Sequence, residues 1–233
     1  MHPVTLEGVT YSYGSGELRR AVLRDVSLTV AEGEIVLLTG PSGSGKTTLL
    51  TLIGALRAMQ QGSARVLGRE LQGASEAARV ALRRRIGFIF QAHNLLGFLS
   101  ARQNVAMALE TEAKLPERQR LAEADRMLAA VGLAEHLHKA PGQLSGGQRQ
   151  RVAVARALVA SPGLVLADEP TAALDKASGQ EVVRQLRDLA RSRGVAILLV
   201  THDPRILDIA DRVVSMEDGR IVSANRPAEG PAA

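Results

Sequence analysis

The sequence predicts an α/β fold: a core built on a mainly parallel sheet, with an antiparallel β subdomain at its edge and an inserted helical subdomain. Three observations predict it. The apolar runs Ile35-Val36-Leu37-Leu38, Ile86 to Phe90, Leu164 to Ala167 and Val195 to Val200 read as buried strands. A glycine-rich stretch joins the first of them to a helix start at Lys46. From about residue 92 to residue 160, apolar residues keep helical spacing with no strand signal. A chain of 233 residues suits one large α/β domain with one inserted lobe, here residues 1–223, followed by a disordered tail over 224–233.

The net charge of +5, from 29 basic and 24 acidic residues, contains no long basic run and argues against a nucleic-acid partner. Two tyrosines, three phenylalanines and no tryptophan leave little for a base-stacking platform of the single-strand-binding kind. The absence of cysteine removes disulfides and thiolate metal sites. No basic region followed by an apolar core opens the chain, and no apolar run approaches the ~18 residues of a membrane span. The expectation is a soluble, unexported, cytoplasmic chain.

Taken in order, Val4, Leu6 and Val9, then Val26, Leu28 and Val30, alternate as strands do, and predict the antiparallel subdomain. Tyr13 lies between them beside Gly14-Ser15-Gly16, where it either stacks on a purine or simply packs. The stretch Gly40-Pro41-Ser42-Gly43-Ser44-Gly45-Lys46-Thr47-Thr48 then follows a buried strand. Its glycines let backbone amides turn inward around phosphate oxygens, and the following helix adds its positive end. Lys46 supplies a point charge for β- and γ-phosphates, and the Thr47 hydroxyl is a hard oxygen donor suited to Mg²⁺. This predicts a phosphate-binding loop for a nucleoside triphosphate.

Arg65 to Leu67 predicts a short strand, and Ser75 to Arg85 a helix whose basic end, Arg83 to Arg85, suits a helix C-terminus. The next buried strand ends at Gln91, a ligand contact or a loop cap. Helices are expected over Ala101 to Glu110 and over Glu117 to Ala130, the second begun by Pro116 and ended by Gly132. His136 and His138 are two apart and would face different ways on a helix, which disfavours a shared metal. Ser145, Gly146, Gly147 and Gln148 lead into a helix over Arg149 to Val159, either a second anion site or an ordinary N-cap.

The strand from Leu164 ends in Asp168 and Glu169. At a strand end two adjacent acids can do different work, Asp168 in a Mg²⁺ shell and Glu169 as base for an attacking water. A helix over Gly179 to Ser192 leads to the strand that delivers His202, the third polar group at an apolar strand end after Gln91 and Glu169, as at a catalytic centre. Arg212 to Met216 and Ile221-Val222 predict a hairpin across Asp218-Gly219.

This ordered set resembles the ATP-binding cassette ATPases over nearly the whole chain: phosphate loop at Gly40 to Thr47, glutamine loop at Gln91, signature Leu144 to Gln148, carboxylate strand at Asp168-Glu169 and switch histidine His202. The resemblance implies ATP and Mg²⁺ as ligands, Tyr13 stacked on adenine, Gln91 touching Mg²⁺ and water, and His202 at the γ-phosphate. The chain departs from the family at Ala172, where serine is frequent, which touches a contact across the partner interface rather than hydrolysis. A triphosphate needs both phosphate-binding helix ends only if they face each other, so a head-to-tail homodimer is expected, with Ser145 and Gly147 of one copy over Lys46 of the other.

The stretch His93 to Ser100 with Asn104-Val105 resembles the subgroup serving lipoprotein-release, macrolide-export and heterocyst-glycolipid-export systems. Its Leu95, Leu96, Phe98 and Leu99 form either a groove for a cytoplasmic helix of a membrane subunit or core of the helical lobe. The implied function is the ATPase subunit of a membrane exporter bound to a transmembrane permease on the inner face of the membrane. The alternative is an ATP-gated clamp on a membrane partner that moves no substrate. Soluble cassettes of DNA repair or translation usually carry coiled-coil insertions or tandem cassettes, and neither is visible in this sequence.

Overall fold

The computed structural model describes residues 2–90, 92–110, 115–172, 174–201 and 203–225. The expectations placed on Gln91 and His202, and on residues 226–233 of the tail, lie outside them, whereas residues 224 and 225, expected to open that disordered tail, are paired in the last strand. Ten strands are described: β1 (Val4–Tyr13), β2 (Arg20–Val30), β3 (Ile35–Thr39), β4 (Gln61–Val66), β5 (Arg69–Glu70), β6 (Ile86–Ile89), β7 (Leu164–Asp168), β8 (Ala196–Val200), β9 (Arg212–Glu217) and β10 (Arg220–Asn225). The α-helices are α1 (Lys46–Ile53), α2 (Glu76–Arg83), α3 (Ala101–Ala106), α4 (Glu117–Ala130), α5 (Gly146–Leu158) and α6 (Lys176–Arg193).

The strands form two sheets. An antiparallel sheet runs β2-β1-β4-β5, and a second runs β10-β9-β3-β8-β7-β6, parallel throughout except for β10 on β9. The parallel strands β3, β7 and β8 are apolar on both faces because both faces are covered. Ile35 and Leu37 of β3 join one core with the helices α3 to α6, while Val36 and Leu38 join another with α1 and the antiparallel sheet. Alternating side chains of one strand therefore tie the two halves of the molecule together.

Between β6 and β7, α3, α4 and α5 pack on one another with no strand among the described residues. Ser100 and Gln103 close a capping box at the start of α3, and Ser145 and Gln148 do the same for α5. Several boundaries differ from the sequence reading. The helix expected over 101–110 is α3 followed by a 3-10 turn over Met107–Leu109. Helix α5 begins at Gly146 rather than Arg149, because the Ser145 cap outweighs the poor propensity of two glycines. Strand β4 ends at Val66, where Leu67 and Gly68 both turn to positive φ, rather than at Leu67. Helix α6 starts at Lys176, three residues before the predicted Gly179. No helix among the described residues is long and apolar enough to cross a membrane.

Candidate functional site

The ends of three neighbouring parallel strands build the site. Leu38, Val200 and Asp168 lie in one row, since Leu38 pairs with Val200 and Asp168 pairs with Val200. Continuing each strand brings the Gly40 to Thr47 loop, Thr201 and Glu169 to the same edge, the carboxyl end where open parallel sheets hold ligands. The loop lies hard against the sheet. Gly40 has φ +135°, and a Cβ there would stand 2.0 Å from the Met216 carbonyl oxygen. On the other side the Gly219 N–H donates to the Ser44 carbonyl at 3.1 Å, and the Gly219 carbonyl accepts from the Arg24 N–H at 2.8 Å. The β9–β10 turn, read from sequence only as a hairpin connection, thus clamps the loop to β2.

Lys46 opens α1, and its side chain folds back into the loop. Its Nζ donates to the carbonyls of Gly40 at 2.6 Å and Pro41 at 2.8 Å and to Ser44 Oγ at 3.3 Å. Burial lowers its pKa from the ordinary 10.5, with Glu169 and then Asp168 opposing that shift by their charge. A phosphate oxygen entering the loop would offer the ammonium a charged acceptor in place of neutral carbonyls, a stronger partner. One residue on, Thr47 Oγ1 donates to Asp168 Oδ2 at 3.1 Å. A hydroxyl and a carboxylate converging in this way are hard oxygen donors, and the pair fits Mg²⁺.

Asp168 and Glu169 are adjacent but face different partners. Glu169 has φ +51°, a conformation costing a non-glycine residue about 1–3 kcal/mol. Its N–H is held by the Val200 carbonyl at 2.7 Å, and its Oε2 accepts from Thr201 Oγ1 at 3.0 Å. Thr201 is itself fixed, since the Asp203 N–H donates to its oxygen at 3.0 Å, and Asp203 Oδ2 accepts from Thr171 Oγ1 at 2.6 Å. Sequence reasoning missed Thr201. Its place at the end of an apolar strand was the available signal.

Lys46, Thr47, Asp168 and Glu169 face one cavity of about 1030 Å³. Tyr13, Ser42, Gly43, Gly45, Lys46, Thr47 and Thr48 line it on one side, with Asp168 and Glu169 across from them; Gly40, Pro41 and Ser44 complete the loop behind. The Tyr13 hydroxyl lies 3.2 Å from Thr48 Oγ1. The wall also includes Arg20, Arg24 and Arg220, which sequence reasoning did not single out because the β-hairpins that carry them come together only in the fold. Ser145, Gly146, Gly147 and Gln148 are absent from this lining. They form the exposed-to-half-buried start of α5, where Gln148 Nε2 lies 2.9 Å from His136 Nε2. The first half of the sequence-predicted site is therefore brought together, and the signature stands apart from it.

A family model described as ABC transporter matches residues 23–172, more than half of the chain. The chain belongs to the ABC transporter family. This cassette is an ATPase of that family. The macrolide export ATP-binding/permease protein MacB of Azoarcus sp. (strain BH72) is 42% identical over 231 residues, covering 98% of this chain and 35% of that protein. MacB 1 of Aeromonas hydrophila is 47% identical over 222 residues, covering 95% of this chain and 34% of its own length. The ABC cassette thus spans about a third of the length of these curated relatives. Among solved structures, the dimeric post-hydrolysis state of the ATP-binding cassette MJ0796 bound to ADP and Pi matches with a TM-score of 0.91 at 35% identity, over 97% of this chain and all of that one. A second dimeric structure of MJ0796, described as a bacterial ABC transporter cassette, also has a TM-score of 0.91, at 34% identity.

Proposed function

We propose that this cassette is the ATP-hydrolysing part of a membrane exporter and works as a head-to-tail pair on a transmembrane permease at the inner face of the membrane. The observation that carries the reading is the separation of the two phosphate-binding helix ends. The loop ahead of α1 opens into the cavity, and the Ser145-capped start of α5 does not. In a two-fold pair, Ser145 and Gly147 of one copy would close over ATP held on Lys46 of the other, each cavity being completed by its partner. The matched MJ0796 structures, which are dimeric, and the MacB relatives, which are export ATP-binding/permease proteins, support it.

Within the site, the roles follow the chemistry of the groups. The loop amides and Lys46 bind the phosphates, and Tyr13 stacks on adenine. Thr47 and Asp168 would hold Mg²⁺, which would supply positive charge beside the phosphates. Glu169 is the general base for the attacking water, aimed by the Thr201 hydroxyl on its Oε2. Gln91 on Mg²⁺ and His202 on the γ-phosphate complete the proposed set, both outside the described residues. On the outer surface, Phe98 is 83% exposed and Leu96 36%, while Leu95 packs on the helical core. The stretch after Gln91 is thus partly core and partly an apolar surface suited to a permease helix.

Substituting Gly147→Asp tests the composite site. Hydrolysis should fall to background while the chain still binds ATP, because the cavity of the same copy does not use Gly147. Hydrolysis at the unsubstituted rate would refute the reading.

A further inference from the structure

The base-stacking Tyr13 is gripped by a segment no motif reaches, the connection from α1 to β4. Arg57 lies in it, with its guanidinium carbon 4.9 Å from the centre of the Tyr13 ring. Tyr13 lines the nucleotide cavity, and Arg57, packed on its ring, is not among the residues of that lining. Tyr11 meets the ring edge-on at 5.2 Å between centroids, and Thr48 of α1 lies 3.2 Å from its hydroxyl.

Three residues further on, Gln60 grips the backbone beside the same tyrosine. Its Oε1 accepts from the Ser12 N–H at 2.8 Å, and its Nε2 donates to the Ser12 carbonyl at 2.9 Å. The β1–β4 ladder has its last backbone pair at Thr10 and Gln61. The Gln60 carboxamide therefore imitates a peptide group and adds one more rung exactly where β1 carries Tyr13 toward the cavity. Ser12 is 6% exposed, so its backbone groups have little water to fall back on.

We propose that Arg57 and Gln60 are positioning residues for base recognition. They fix Tyr13 with one face against a guanidinium and the other presented to the base of the bound nucleoside triphosphate. A ring already ordered loses less freedom when a base stacks on it, so its contribution to affinity is larger than that of a free tyrosine. Because the segment leaves the C-terminal end of the phosphate-loop helix, base seat and phosphate seat are built on one element. This inference rests on the reading that Tyr13 stacks on adenine.

The test measures dissociation constants by calorimetry for ATP and for inorganic tripolyphosphate, which has the phosphates without the base. Arg57→Ala should weaken ATP about two- to five-fold, the loss of one exposed cation–π contact, and leave tripolyphosphate binding unchanged. Arg57→Lys, which keeps a cation over the ring, should recover most of the loss. Gln60→Glu keeps the acceptor and removes the donor, and should weaken ATP about two- to ten-fold with no effect on tripolyphosphate. Tyr11 and Tyr13 are the protein's only tyrosines and it has no tryptophan, so quenching of tyrosine emission by ATP reads the stacking directly. The quenching should be shallower at saturation in Arg57→Ala. Equal weakening of tripolyphosphate would mean that Arg57 acts as a general charge and would overturn the proposal, as would wild-type ATP affinity in the Arg57 and Gln60 variants. Tyr13→Ala separates the two readings. If it binds ATP normally, base stacking itself falls; if it weakens ATP while Arg57→Ala and Gln60→Glu do not, only the positioning role falls.

Discussion

Replacing Gly40 with alanine should cost this cassette more stability than any ordinary turn glycine would. Two separate costs meet at this position. The φ of +135° is one an L residue adopts only under strain, about 1–3 kcal/mol. The added Cβ would lie 2.0 Å from the Met216 carbonyl oxygen and 3.2 Å from Ser44 Oγ. Met216 is backbone of β9, held in register against β3 through Leu38 with Val214 and Thr39 with Ser215, so it cannot simply step aside. Relieving that overlap by moving the loop adds about 1–3 kcal/mol. Gly43 in the same loop is the control. It has φ +81°, but its Cβ would meet no atom within 4 Å, so Gly43→Ala carries the backbone cost alone. In a domain of this size each kcal/mol moves the melting temperature about 2–4 °C, so Gly40→Ala should melt about 2–12 °C below Gly43→Ala. Circular dichroism melts of both variants at one protein concentration measure the difference. Equal melting temperatures would refute the close approach of loop and sheet.

Three further outcomes are expected. Glu169→Gln should still bind ATP but hydrolyse it about 10²- to 10⁴-fold more slowly, the contribution of a positioned base, and a phosphate-release assay reads it. Asn104 is fully buried, accepts from the Leu96 N–H at 2.8 Å and donates to the carbonyls of Leu96, Leu99 and Ser100 at 3.0–3.1 Å. Asn104→Ala should therefore lower the urea-unfolding free energy by about 2–4 kcal/mol, and a loss within experimental error would contradict its place as the anchor of the 96–100 turn. Lys46 has its pKa lowered from 10.5 by burial, so between the lowered value and 10.5 the unfolded chain holds more proton than the folded one. Its contribution to stability accordingly rises with pH across that window and is flat below it; urea midpoints from neutral pH to 10.5 should show the rise, and Lys46→Met should remove it.

The parallel strands were legible because they are buried on both faces, so Ile35 to Leu38, Leu164 to Ala167 and Ala196 to Val200 read as unbroken apolar runs. Of strand β4 only the end at Arg65-Val66 was, since Gln61-Gly62-Ser63 is polar and its pairing with β1 is a long-range matter. The start of α5 was readable in principle from the Ser145-to-Gln148 spacing of a capping box, which places the helix start three residues before the Arg149 expected. In the site, the phosphate loop and the two carboxylates announced themselves by residue type and spacing. Thr201, the clamp at Gly219 and the arginines of the cavity wall did not, because each acts through a contact spanning many residues of chain. The separation of the signature from the cavity is also a property of the fold alone.

The account depends on ATP being held between two copies of this chain, and the size of the Glu169→Gln variant with ATP and Mg²⁺ tests that most directly. Light scattering should show the 24.7 kDa chain doubling its mass on addition of ATP, with two nucleotides retained per pair, and returning to one copy when ATP is removed. A particle that stays at 24.7 kDa with ATP bound would contradict the composite site.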